Sequence, residues 1–221
     1  AREHTGRPYV IKAKGVYHGV DAWCDPGFGG RIEDDRSSIL EFAWNDLDEL
    51  DGLLDSHQDQ VASIILTPYH HAAFAPSVLP ADDFWSKIEK KCNDLGIVLI
   101  LDDVRAGGRL HDCGSHRYFN FSPDLSIYSK ALGNGYAISA CVGKEFLRNA
   151  SKEVFLTGSC WNDAVAMAAA LKSLEISSNQ RVAESVLTKG DYFCQGLHDR
   201  AKKYGLPLCM TGPSSMPYPW F

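Results

Sequence analysis

The chain has 221 residues, 45% of them hydrophobic and 23% charged, with a formal net charge of −6. That length can bury one substantial core, and the acidic balance gives no reason to expect a nucleic acid or an anionic membrane as partner. No apolar run approaches the roughly 20 residues that span a bilayer, the charges at Arg2, Glu3, Arg7, Lys12 and Lys14 are unlike a signal peptide, and seven scattered cysteines without a CxxC pair point to reduced thiols in the cytoplasm.

In chain order, Pro8 to Lys12 is predicted as a short strand leading into the turn Gly15-Val16-Tyr17-His18-Gly19. Residues 21–38, rich in Gly, Asp and Ser, read as a long surface or active-site loop. Asn45 to Leu54 shows leucines at helical spacing after an Asn or Asp cap. Val61 to Leu66 is a buried-strand candidate stopped by Thr67-Pro68. Residues 82–95 read as a helix with Phe84, Ile88, Cys92 and Leu95 on one face, ended by Gly96 and followed by a strand over 97–101. Strand, helix and strand in that order imply a parallel pair with a crossover helix.

Leu125 to Tyr128 and Ala137 to Val142 add short strands. Two long helices follow, over 162–176 and over 181–204, the second with Val182, Val186, Phe193, Leu197 and Ala201 as apolar positions. The tail from Thr211 to Phe221 holds three prolines and cannot be a helix. The fold class expected is α/β: three α/β/α layers around a mostly parallel sheet.

Two apolar runs end in chemistry. One ends at Asp102-Asp103, the other runs through Tyr128 to Ser129-Lys130 and a Gly-rich turn. In an open α/β sheet, ligands sit beyond the carboxyl ends of the strands. A partly desolvated lysine beside an acid at that edge suits Schiff-base chemistry. With pyridoxal phosphate, the lysine holds the cofactor as an imine and the acid pairs with the pyridinium nitrogen. The bland alternatives are a lysine snorkelling at a strand end and a solvated pair of aspartates. Gly27, Gly29 and Gly30 lack the following Lys-Ser/Thr of a phosphate loop. The eight histidines show no metal-ligand spacing beyond the adjacent His70-His71.

Tyr17-His18-Gly19, Leu101-Asp102-Asp103-Val104, Ser129-Lys130-Ala131-Leu132-Gly133-Asn134-Gly135-Tyr136 and Thr157-Gly158-Ser159 stand in the order and spacing of class III aminotransferases. These are fold type I pyridoxal-phosphate enzymes, and the chain most resembles the glutamate-1-semialdehyde aminomutase type from about Thr5 to about Met216. The resemblance implies that Lys130 carries the cofactor and moves a proton, with Asp102 as pyridinium partner. It places Val104 on one ring face and Tyr17 on the other, with His18 and Gly19 shaping the turn. It puts Thr157 on the phosphate of a neighbouring subunit, in a homodimer with shared sites.

It also implies a division into a large cofactor-binding domain over 1–205, lacking its N-terminal part, and the start of a small C-terminal domain over 206–221. A Gly-rich phosphate turn of the family lies upstream of where this chain begins, so the chain reads as an excerpt of a longer enzyme. The expected activity is transfer of an amino group from an amine donor to a keto or aldehyde acceptor. Alternatives are an aminomutase, a racemase or epimerase, and, in another class, a catalytically silent partner subunit. Thr67 and Arg105 depart from the family's usual Glu and Gln. With Tyr69, His70, His71 and Phe74, they imply an altered substrate pocket.

Overall fold

The alternation of short apolar runs with amphipathic helices builds a six-stranded sheet. Its strands are β1 (Tyr9–Ala13), β2 (Ile39–Phe42), β3 (Val61–Leu66), β4 (Val98–Asp102), β5 (Leu125–Tyr128) and β6 (Ala140–Gly143). They lie in the order β2-β1-β3-β4-β5-β6. The first five are parallel, and β6 runs antiparallel to β5. The computed structural model describes every residue except 28, 31, 73 and 74. Phe74 and two positions of the 21–38 loop therefore lie outside the described residues.

The helices are α1 (Arg2–Thr5), α2 (Leu47–Ser56), α3 (Phe84–Leu95), α4 (Ser115–Phe119), α5 (Arg148–Glu153), α6 (Ala164–Gln180) and α7 (Val182–Lys203). A hairpin of β7 (Cys209–Thr211) and β8 (Tyr218–Trp220) forms a separate two-stranded sheet. No helix among the described residues is long and apolar enough to cross a membrane.

Local chemistry explains the element ends. The Asp46 carboxylate accepts from the Glu49 N–H at 2.8 Å, satisfying one of the orphan donors at the start of α2. Gly96, at φ 62°, ends α3, and Ile97 N–H returns to Cys92 O at 2.9 Å before β4 begins. All six residues of β3 are buried, as expected of a central strand covered on both faces. The main core joins Ile11, Ile64, Leu66, Leu99 and Leu101 of the sheet to Leu50 and Leu54 of α2 and Phe84, Trp85, Ile88 and Cys92 of α3.

The structure departs from the sequence-based expectations in three places. Strand β2, with half-buried Ile39, Leu40 and Glu41 and a buried Phe42, falls just after the 21–38 loop and was not expected there. Leu95 is 47% exposed, although it continues the apolar stripe of Phe84, Ile88 and Cys92 as the last helical residue before Gly96. Helix α7 buries only Ala183 and Ala201, and Phe193 is exposed. The helix lies against the β7–β8 hairpin, so close that a Cβ at Gly190 would stand 1.9 Å from Ser214 O.

Candidate active site

The carboxyl ends of β1, β3, β4 and β5 carry the residues singled out by sequence. Past β1, the chain turns at Gly15 (φ 73°), and His18 N–H is held by Cys24 O at 2.9 Å. Gly19, at φ 148°, adopts a backbone that side chains disfavour. This turn carries His18 across the end of β3, where its Nδ1 lies 2.6 Å from Asp102 Oδ2 at the end of β4. Both side chains are almost entirely buried. The other carboxylate oxygen, Oδ1, accepts from Val104 N–H at 3.2 Å. Tyr17, on the same turn, leaves half its surface exposed, so its ring has a free face.

Asp103 has a different task. It is wholly buried, and its oxygens accept from Ser115 N–H at 2.8 Å and Ser115 Oγ–H at 2.5 Å. Burial pushes its carboxyl up to about 6, against the pull of the two Ser115 hydrogen bonds. Two of the three glycines of the connecting loop, Gly107 and Gly114, make this packing possible. A Cβ at Gly107 would stand 2.7 Å from Asp103 O, and one at Gly114 would stand 2.5 Å from Tyr128 Oη. The reading of Asp102 and Asp103 as a solvated pair fails, since both are buried.

Lys130 opens the three-residue turn after β5 in a left-handed conformation, φ 47°. Asp102 pairs in register with Ile127, three residues before it. The expected partial desolvation of Lys130 is not met within this chain, where it is exposed because the strand ends at Tyr128 and the turn lifts the lysine to the surface. It borders a cleft of about 910 Å³ shared with Gly107, Tyr128, Leu132, Val142 and Val186. Thr157 lies on an exposed segment and makes no hydrogen bond to any of these residues. The structure thus brings His18, Asp102 and Val104 together, sets Lys130 one strand away, and leaves Thr157 apart.

The two histidines that follow β3 part company. His70 Nε2 contacts Lys14 O at 3.0 Å, while His71 turns inward beside Tyr69, its buried Nε2 without a hydrogen-bond partner. Burial, and then the Arg105 guanidinium, lower the His71 ring to about 4, so it is neutral near pH 7. No group of three or more His, Cys, Asp or Glu suited to a metal occurs among the described residues.

The family model for class III aminotransferases matches residues 33–208. The chain belongs to the class III aminotransferases. Aminopentol aminotransferase of Sphingopyxis macrogoltabida is 37% identical over all of this chain and 52% of its own length. The 3-aminobutyryl-CoA aminotransferase of Cloacimonas acidaminovorans is 34% identical over 99% of this chain and 52% of its own. Glutamate-1-semialdehyde 2,1-aminomutase of Syntrophobacter fumaroxidans is 31% identical over 98% and 53%. The chain thus spans about half the length of the curated relatives it matches. Among solved structures, the internal aldimine form of the FumI protein of Sphingopyxis sp. MTA144 superposes with a TM-score of 0.95 at 36% identity, covering 99% of this chain and 53% of that one. An omega-transaminase from Sphaerobacter thermophilus, at 22% identity and a TM-score of 0.86, shares the fold. The α/β fold with a mostly parallel sheet is that of the pyridoxal-phosphate transaminases.

Proposed function

We propose that the protein is a pyridoxal-phosphate-dependent aminotransferase, moving an amino group from a small amine donor to a keto or aldehyde acceptor. The observation that carries this reading is the 2.6 Å contact between His18 and the buried Asp102 carboxylate, which joins two of the four motifs at one sheet edge. The residues present fit the cofactor: an exposed amine at Lys130, a buried acid at Asp102 and an aromatic ring with a free face at Tyr17. The cofactor, when bound, supplies an electron sink for a carbanion.

The chain's own groups do the rest. Lys130 holds the cofactor and moves the substrate proton at its Nζ. The Asp102 carboxylate, fixed by His18 and the Val104 N–H, keeps a proton on the ring nitrogen. Val104 and Tyr17 would hold the two faces of the ring. Thr157 donates to the phosphate held by a neighbouring subunit, so the active unit is a homodimer with shared sites. Support for that last role is the exposed position of Thr157, away from the other site residues of its own chain. Residues 206–221 begin a second, smaller unit, and their hairpin is a sheet separate from the main one. A cytoplasmic setting is supported by seven free cysteines.

Aminotransferase is preferred to aminomutase because the two relatives of higher identity are named aminotransferases. Need for an added keto or aldehyde acceptor separates the two. The test of the site is Asp102→Asn. A neutral amide cannot hold the ring proton, and one charge-assisted contact in a buried site is worth roughly 2–4 kcal/mol, about 30- to 1000-fold in rate. We expect cofactor binding to persist and turnover to fall by that factor, with Asp103→Asn much less affected. The reverse pattern would exchange the roles of the two acids.

A further inference from the structure

We propose that Lys12 is a positioning residue: its buried amine, anchored by Glu41, grips the Val16 carbonyl and so fixes the turn that presents Tyr17 and His18 to the site. The inference rests on the aminotransferase reading and adds to it a residue that acts from behind the turn. The Lys12 side chain, on β1, is 1% exposed. Its neighbours Ile11 and Ala13 join the main core. Successive strand residues point to opposite faces, so Lys12 lies on the other face of the sheet. Glu41 stands opposite it in register on β2, and Glu41 Oε1 lies 3.2 Å from Lys12 Nζ. Lys12 Nζ also donates to Val16 O at 3.4 Å.

Stability alone does not call for this pair. A buried ion pair commonly stabilises no more than apolar residues of the same volume. Joining β1 to β2 does not need it either, because the parallel backbone ladder already does so. What the ladder cannot reach is Val16 O, which lies past the end of β1 and beyond the left-handed Gly15. The Val16 side chain is packed in the main core. With its carbonyl held by Lys12, this residue is fixed from two sides. The next two residues are Tyr17 and His18, and His18 Nδ1 lies 2.6 Å from Asp102 Oδ2. A rotation at Val16 would displace both side chains, and a misplacement of about 1 Å in an active site can cost roughly 100-fold in rate.

The test compares the wild-type protein with Lys12→Met/Glu41→Gln, which removes both charges and nearly keeps their volume. Borohydride trapping of cofactor comes first. Failure of the wild type to trap would undo the aminotransferase reading, and the first arm, which needs no cofactor, would still judge the grip on the turn. That arm is hydrogen exchange of the cofactor-free protein. The His18 N–H, bonded to Cys24 O, should exchange about 10- to 100-fold faster in the double variant, the loss of one hydrogen bond from a charged donor. The amides of β3 should keep their protection. The second arm is turnover. The double variant should lose about tenfold in kcat with KM for the amine donor unchanged. In a His18→Ala background the same pair of substitutions should change kcat by about threefold or less, because residues acting through one another are not additive. Glu41→Gln alone loosens the ammonium without removing it. It should shift the exchange about two- to tenfold in the same direction, and it carries the test if the double variant does not fold. Unchanged exchange at His18, or acceleration spread equally over β3, would overturn the proposal and leave Lys12 as a strand-pairing charge. An equal loss of kcat with and without His18 would overturn it too.

Discussion

His71 and Asp103 titrate with opposite consequences for stability. The folded His71 ring protonates near 4 rather than 6.5. Its neutral form is favoured by burial, so the stability it supports is lost as pH falls from about 6.5 towards 4. The folded Asp103 carboxyl titrates near 6 rather than 3.8. Its protonated form is favoured, so that contribution is present in acid and lost as pH rises from about 4 to about 6. Each amounts to roughly 3 kcal/mol by linkage, and over the shared window they offset one another. Thermal unfolding between pH 4 and 7 should therefore be nearly flat for these two groups in the wild type. His71→Gln should gain stability towards acid relative to the wild type, and Asp103→Asn should lose it. Parallel pH profiles for all three proteins would contradict these assignments. The buried, hydrogen-bonded position of Asp102 was legible as the end of an apolar run, whereas the exposure of Lys130 was not, because the turn after β5 leaves no such pattern. The partner of Asp103 was not legible either. Ser115 lies twelve residues on, and the packing that joins them comes from the loop's fold.

At the scale of elements, the loop between β4 and α4 is fixed by two of its three glycines, Gly107 and Gly114. Gly114, at φ 101°, faces Tyr128 Oη so closely that a Cβ would stand 2.5 Å from it. Gly114→Ala should cost roughly 2–3 kcal/mol from backbone strain and overpacking together. Gly52, exposed within α2 with open space around it, makes the contrast: Gly52→Ala should gain about 0.5–1 kcal/mol. Chemical denaturation of both variants checks the pair, and equal effects would mean that the loop relaxes around the new methyl group. The central strands and α3 were readable because a continuous apolar run and a 3.6-residue stripe are strong local signals. Strand β2 was missed because three half-buried residues and one buried Phe42 after a polar loop give neither a long run nor clean alternation. The apolar positions of α7 were seen, but the pattern cannot say what covers Phe193 and Tyr192, both exposed in this chain.

For the whole molecule, the proposed shared-site dimer makes a prediction that no single chain can satisfy. Lys130→Ala and Thr157→Asp should each be nearly inactive, the second because a carboxylate repels phosphate. In a mixed dimer of two-fold symmetry, one site collects both lesions and the other is intact. Activity should return to about half that of a wild-type dimer per heterodimer. No recovery, once mass spectrometry has confirmed subunit exchange, would place Thr157 within its own subunit's site. The central claim is narrower, that Lys130 carries the cofactor, and one experiment meets it directly. The protein is saturated with pyridoxal phosphate, reduced with borohydride, digested and mapped. The account predicts one stable label, on the peptide that contains Lys130, and none in Lys130→Ala. A label on another lysine, or no label at saturating cofactor, would contradict it.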